Sequence, residues 1–355
     1  MSAGGSMLVA ALRDPASAAQ LGAEQWTQLI TAARAESLLA SLAHRLTSLR
    51  IDEGARAILD VARRDAEQGR LQALWEAEMA RRALATLPVP VVLLKGTAYA
   101  AAGLGAAEGR SIGDLDILVP RESIDAVEAA LLRAGWQWVK PNEYDDLYYR
   151  RWMHELPPLI HAERDRMIDV HHTILPLTAA RRPDADALIA ASVPVASGLR
   201  VLSPADMIVH AATHAFADGD LAGGLRNLWD IHRLASEFGS TPGFWDALAE
   251  RASRHDMQAP VARGLRLAAS LYGTRVEDHW LAAPRLSDAL FKRRLLARDG
   301  WGRERRPVLR LAFYIRSHLL RMPPLMLARH LWIKARRGRA TPRLRPAGEA
   351  PRAAA

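Results

Sequence analysis

Apolar residues recur at helical spacing through most of the first 86 residues. Between about Ala55 and Leu87 the set Ile58, Val61, Leu71, Leu74 and Met79 marks one helix, with Asp65, Glu67 and Arg70 as its polar surface. Pro15 is the only proline before Pro88, so an N-terminal helical region over 1–86 is expected. The pattern changes at Leu87. Val89 to Leu94 is a short apolar, β-branched run between prolines and Lys95-Gly96-Thr97, which predicts a buried strand. A short helix over 97–104 follows, broken by Gly103, Gly105 and Gly109. Asp114 to Val119 predicts a second strand. Residues 123–134 predict a helix with Ile124, Val127 and Leu131 on one face and Gly135 as its stop. Segments 136–139, 147–152 and 167–171 are further strand candidates.

Strands and helices interleaved over 87–175 predict an α/β (α+β) core with a mixed sheet. Helices resume at Ser203-Pro204-Ala205-Asp206, where Ser is a good N-cap, Pro suits the first turn and Asp favours the helix start. Further helices are expected over about 205–217, 223–238, 243–254 and 258–272. The expected organisation is a helical region (1–86), an α/β core (87–200), a helical domain (201–300), a basic helical segment (301–337) and a disordered tail (338–355).

Charge alters this picture only at one end. The net charge is +9. Residues 301–355 hold thirteen Arg and one Lys against two Glu, a net of +12, so the first 300 residues carry −3. The C-terminal basicity suits an anionic membrane surface or RNA, or a helix packed on the body with a solvated Arg face. The absence of Cys removes thiolate catalysis, Cys-ligated zinc and iron–sulfur clusters. Met1 to Pro15 lacks the pattern of a secretory signal, and no uninterrupted apolar run reaches about 18 residues. The expected location is cytoplasmic, with peripheral membrane attachment as an option for the tail.

The candidate chemistry lies in the α/β core. Asp114 and Asp116 are two apart, so on a strand they share a face while Leu115 and Ile117 take the other. Asp169 and His171 alternate in the same way with Ile168 and Val170. If these strands are neighbours, three carboxylates meet and can clamp two Mg²⁺ ions, or Mn²⁺, on a nucleoside triphosphate. Lys95, Gly96 and Thr97 open a helix, where backbone N–H groups favour phosphate. Arg110 suits charge on a transferring phosphate, or a structural ion pair with Asp114 or Asp116.

The runs Leu94-Lys95-Gly96, Arg110-Ser111-Ile112-Gly113-Asp114-Leu115-Asp116-Ile117-Leu118-Val119 and Asp169-Val170-His171 resemble those of a bacterial, uncharacterised nucleotidyltransferase group within the DNA polymerase β-like superfamily. Leu202-Ser203-Pro204, His210 with His214, and Trp229-Asp230 add to the resemblance, which covers about residues 70–240. Thr97 departs from the small Gly or Ser usual at that turn. The resemblance implies transfer of a nucleotidyl group from an NTP, ATP foremost, to an unknown acceptor with loss of pyrophosphate. Asp114, Asp116 and Asp169 are then both metal ligands and catalytic residues, and Lys95, Gly96, Thr97 and Arg110 bind the nucleotide.

His210 and His214 share a helical face at a spacing that can ligate zinc, although no third ligand accompanies them; hydrogen bonding to Asp230 is the plainer expectation. His171 can hold Asp169 or touch the acceptor. A catalytically inactive nucleotide- or partner-binding module is the alternative to an enzyme.

Overall fold

The computed structural model describes residues 3–139, 149–196, 198–282, 286–325 and 327–328. Four helices precede the sheet: α1 (Ala3–Arg13), α2 (Ala23–Ala35), α3 (Leu39–Arg45) and α4 (Glu53–Leu84). Helix α4 starts where the Asp52 side chain accepts from the Ala55 N–H. Its buried face is only in part the one the apolar spacing predicts, since Leu74 and Met79 pack against the core. Ile58, Val61 and Leu71 are exposed, whereas Ala55, Leu59, Ala66, Ala73, Ala77, Ala80 and Leu84 are buried. The alanines let α4 approach α3, α5 (Lys95–Ala101) and α6 (Ile124–Arg133) closely, and that spacing decides the packed side.

Seven strands form one mixed sheet in the order β3-β4-β5-β2-β1-β7-β6. They are β1 (Val92–Leu93), β2 (Leu115–Leu118), β3 (Trp136–Trp138), β4 (Leu159–His161), β5 (Met167–His171), β6 (Val193–Pro194) and β7 (Arg200–Val201). β1 runs antiparallel to β2 and parallel to β7. β2 and β5, the two longest, are parallel neighbours. Their apolar residues Leu115, Ile117, Ile168 and Val170 are all buried. The expected strand over 147–152 is corrected in part: residues 149–152 are helical, and 147–148 lie outside the described residues.

Downstream come α7 (Ala185–Ala190), α8 (Pro204–Ala212), α9 (Gly224–Phe238), α10 (Phe244–Arg254), α11 (Gln258–Tyr272), α12 (Asp278–Leu281), α13 (Leu286–Leu295) and α14 (Pro307–Arg321). Ser203 caps α8 by accepting from the Asp206 N–H. Helix α8 passes into a π-helical turn, Thr213–Asp218, and packs between α9 and α10. Among the described residues no helix is long and apolar enough to cross a membrane. The tail 338–355 and the basic stretch from 329 onward lie outside the described residues.

Candidate active site

Two strand alternations and one register build the centre of the site. Asp116 on β2 is level with Asp169 on β5, and Leu118 is level with His171. Directly opposed residues of a parallel pair project to the same side, so Asp116, Asp169 and His171 emerge from one face of the sheet. Asp114 lies one residue before β2 and is exposed. Its charge contributes to raising the Asp169 pKa, as expected for a near neighbour.

The two strand carboxylates, Asp116 buried and Asp169 half-buried, are in opposite electrostatic states. Asp116 is only 5% exposed, which alone would favour its neutral form. That burial is outweighed by His171 and Lys95, and the carboxyl is held well below the usual carboxylate range. Lys95 Nζ donates to Asp116 Oδ1 at 2.7 Å, and His171 Nε2 lies 3.0 Å from the same oxygen. In Asp169, burial first, then the charges of Glu155 and Asp116, outweigh the opposing charge of His171 and push its carboxyl up to about 7. The donor set is therefore an excess of carboxylate in a partly buried place, the condition a divalent cation relieves. Asp114, Asp116 and Asp169 are the residues on this face that could hold one.

Glu155 is a member of this cluster that the sequence pattern does not mark. Its backbone forms an isolated bridge with His171, and Leu156 N–H donates to Val170 C=O at 2.9 Å. Its Oε2 lies 3.3 Å from His171 Nδ1 and 3.6 Å from His154 Nε2. His171 is thus bracketed by Asp116 and Glu155. Burial opposes its positive charge, but those carboxylates prevail and raise its pKa above the usual value.

The turn after β1 brings Lys95, Gly96 and Thr97 beside β2, and Leu94 N–H donates to Asp116 C=O at 3.0 Å. Lys95 adopts φ +49°, a left-handed backbone that costs a non-glycine residue free energy. Burial lowers its pKa, yet the Asp116 charge outweighs this and leaves it raised. Gly96 is required by space: a Cβ there would sit 2.6 Å from Arg110 Nε. Thr97 is buried, and its Oγ1 has no hydrogen-bond partner among the described residues.

Arg110 makes its ion pair with Asp230, not with Asp114, Asp116 or Asp169. Arg226 also binds Asp230, and Arg226 Nη1 donates to Ser41 Oγ at 2.8 Å. Paired there rather than with Asp114 or Asp116, a nearly buried Arg with a buried carboxylate partner braces the loop against Gly96. The same network displaces the expected His210–Asp230 hydrogen bond, because two guanidinium groups occupy Asp230. His210 is buried in α8, and burial followed by the charge of Lys95 holds its pKa well below the usual value. His214 is half-buried in the π-helical turn.

The chain resembles a known family over most of its length. A family model described as an uncharacterised nucleotidyltransferase matches residues 22–273. The chain belongs to that nucleotidyltransferase family. The match spans α2 to α4, the sheet and the helices up to α11. No curated protein matches the chain. Membership supports a general role in nucleotidyl transfer, and nucleotidyltransferases generally use an NTP and divalent metal ions. The fold, a mixed seven-stranded sheet flanked by helices, is consistent with that membership.

Proposed function

We propose that this nucleotidyltransferase moves a nucleotidyl group from an NTP, ATP foremost, to an acceptor hydroxyl or similar nucleophile and releases pyrophosphate. The observation that carries this reading is the level pairing of Asp116 with Asp169 on adjacent parallel strands, with Asp114 beside them. Divalent cations, Mg²⁺ foremost, would neutralise triphosphate charge and ease ionisation of the attacking group. Asp114, Asp116 and Asp169 would hold them.

In the reaction the acceptor oxygen bonds to the α-phosphorus while the bond to the bridging oxygen of the β-phosphate breaks, and pyrophosphate leaves. The acceptor's proton needs a base nearby. Asp169, level with Asp116 on the neighbouring strand, would help to take it. Lys95, at the mouth of the turn, is placed to follow the phosphates, and the buried backbone of Gly96 and Thr97 shapes the turn beneath them. Positioning and charge stabilisation would provide most of the acceleration.

A second reading has one observation in its favour. Lys95 and His171 already share Asp116 Oδ1, an arrangement that would also suit a nucleotide-binding module without turnover. One experiment separates the two. Purified protein is given NTP, Mg²⁺ and candidate acceptors, and pyrophosphate release is measured beside calorimetric NTP binding. Release that disappears in Asp114→Ala/Asp116→Ala supports the enzyme. Binding without release, or release unchanged in the double variant, refutes it.

A further inference from the structure

The cluster His154, Glu155 and His171 is not used by the nucleotidyl-transfer reading and has the chemistry of a different ion. Each residue offers one donor atom, and these lie within 4.8 Å of one another. Two separations measured from Glu155 Oε2, 3.3 Å to His171 Nδ1 and 3.6 Å to His154 Nε2, are specific. Ligands bound at about 2.0–2.2 Å with tetrahedral angles stand about 3.4 Å apart, so both separations already match edges of such a polyhedron. Two imidazoles and one carboxylate select borderline cations such as Zn²⁺ over Mg²⁺ or Ca²⁺, which take oxygen donors.

The outer contacts match as well. A ligating His characteristically gives its other ring N–H to a carboxylate, and His171 Nε2 lies 3.0 Å from Asp116 Oδ1. The ligands ride on fixed backbone: His172 N–H donates to His154 C=O at 2.9 Å, and Leu156 N–H to Val170 C=O at 2.9 Å. The His154 and His171 rings lie with centroids 5.3 Å apart. Among the described residues the buried Nδ1 of His154 has no hydrogen-bond partner.

We propose that His154, Glu155 and His171 bind one divalent cation of the Zn²⁺ class, with Asp116 as the outer carboxylate that orients His171. The ion replaces any proton on His171 Nδ1, which leaves to solvent. It ties the 154–156 segment to β5 and removes the Glu155 charge from the surroundings of Asp169. This site has its own ligands and touches the Asp114–Asp116–Asp169 carboxylates only through Asp116 behind His171, so it does not depend on their holding Mg²⁺.

The test uses the full chain, stripped by chelation and titrated with Co²⁺ in excess Mg²⁺, read by visible absorption and calorimetry. The expected result is one Co²⁺ per chain with the intense bands of four- or five-coordinate cobalt, displaced by Zn²⁺. His154→Ala and Glu155→Gln, checked for folding by circular dichroism, should each weaken binding by roughly 10–100-fold, the scale on which metal-site shells act. Asp169→Asn should leave the spectrum in place. A weak, hexaaquo-like spectrum in the unaltered chain overturns the proposal. So does Co²⁺ binding that survives His154→Ala, or that Asp169→Asn abolishes, since the ion would then sit on the carboxylates. None of these outcomes bears on pyrophosphate release, so the nucleotidyl-transfer reading stands or falls by its own assay.

Discussion

The two sides of the candidate site differ in how far the chain satisfies its own charges. On the strand side, Asp116 and Asp169 stand level, and Asp169 is left with its carboxyl pushed up to about 7 by burial and by neighbouring acids. On the turn side the cations are already engaged: Lys95 with Asp116, Arg110 with Asp230. A site poised for a cation and a polyanion would be expected to show free negative charge on one side and free positive charge on the other. Lys95 and Arg110, each paired with a carboxylate, do not offer the second. The comparison teaches that the carboxylate half is preformed, whereas the phosphate half is reached only if Lys95 moves from Asp116 to the incoming phosphates as cations take its place.

The largest effects should come from the strand side. Asp169→Asn should lower pyrophosphate release by roughly 10³-fold or more, the scale seen when one member of a catalytic unit is removed, with the fold intact by circular dichroism. Asp116→Ala should abolish release and also cost stability. It would leave Lys95 and His171 without their shared carboxylate, and breaking a buried ion pair costs about 3–5 kcal/mol. A denaturant titration measures that cost. Stability equal to the unaltered chain would mean the three groups are not coupled.

Arg110→Ala separates brace from phosphate contact. As a brace it should destabilise by about 2–3 kcal/mol, less than a fully orphaned charge because Arg226 still binds Asp230. The KM for NTP in protein that remains folded should change little. A large KM increase with unchanged stability would restore a phosphate role. Gly96→Ala probes the same packing and should cost about 1–3 kcal/mol, since its Cβ would overlap Arg110.

Lys95→Met is expected to act in two directions. Removing the ammonium frees Asp116, so Mg²⁺ affinity should rise. NTP binding should weaken by about tenfold, which corresponds to about 1.4 kcal/mol for one charged contact. Calorimetry of each ligand alone reads both. Weaker Mg²⁺ binding in this variant would contradict the idea that Lys95 holds the cation's place.

The smallest effect contrasts two adjacent histidines. His171 faces the carboxylates and its pKa is raised despite burial. His172 has its pKa lowered to about 4, chiefly by burial and then by the charge of Arg121. The sign for His172 follows from linkage. In the unfolded chain it takes a proton near pH 6.5, but in the fold only near 4, so its contribution to stability is full above about 6.5 and is lost as pH falls toward 4. His172→Asn should flatten the acid limb of a melting-temperature profile slightly. Imidazole NMR signals should titrate above the ordinary value for His171 and well below it for His172.

Much of the carboxylate half was legible in the sequence because alternation is a local signal. Asp116 between Leu115 and Ile117, and Asp169 between Ile168 and Val170, reveal their faces without knowledge of the partner strand. The helices after Ser203 were equally legible from caps and periodicity: α9, α10 and α11 begin and end within a residue or two of expectation. What failed depended on distant choices. Arg110 had two nearby acids in sequence and chose Asp230, 120 residues away. The buried face of α4 is set by close approach at alanines, which carry little hydrophobic signal of their own. Strands β6 and β7 have two residues each, too short for any period to register. Glu155 sits outside every regular element, and only its pairing with His171 gives it a place in the site.

The central claim is that Asp116 and Asp169 jointly hold the cations that receive the nucleotide. The most direct measurement is a crystal of the full chain grown with Mn²⁺ and a non-hydrolysable NTP, read by anomalous scattering. The account predicts a manganese peak in contact with both carboxylates, the triphosphate beside it and Lys95 turned toward a phosphate. Nucleotide bound elsewhere, or manganese absent from Asp116 and Asp169 while Lys95 still holds the carboxylate, would contradict it.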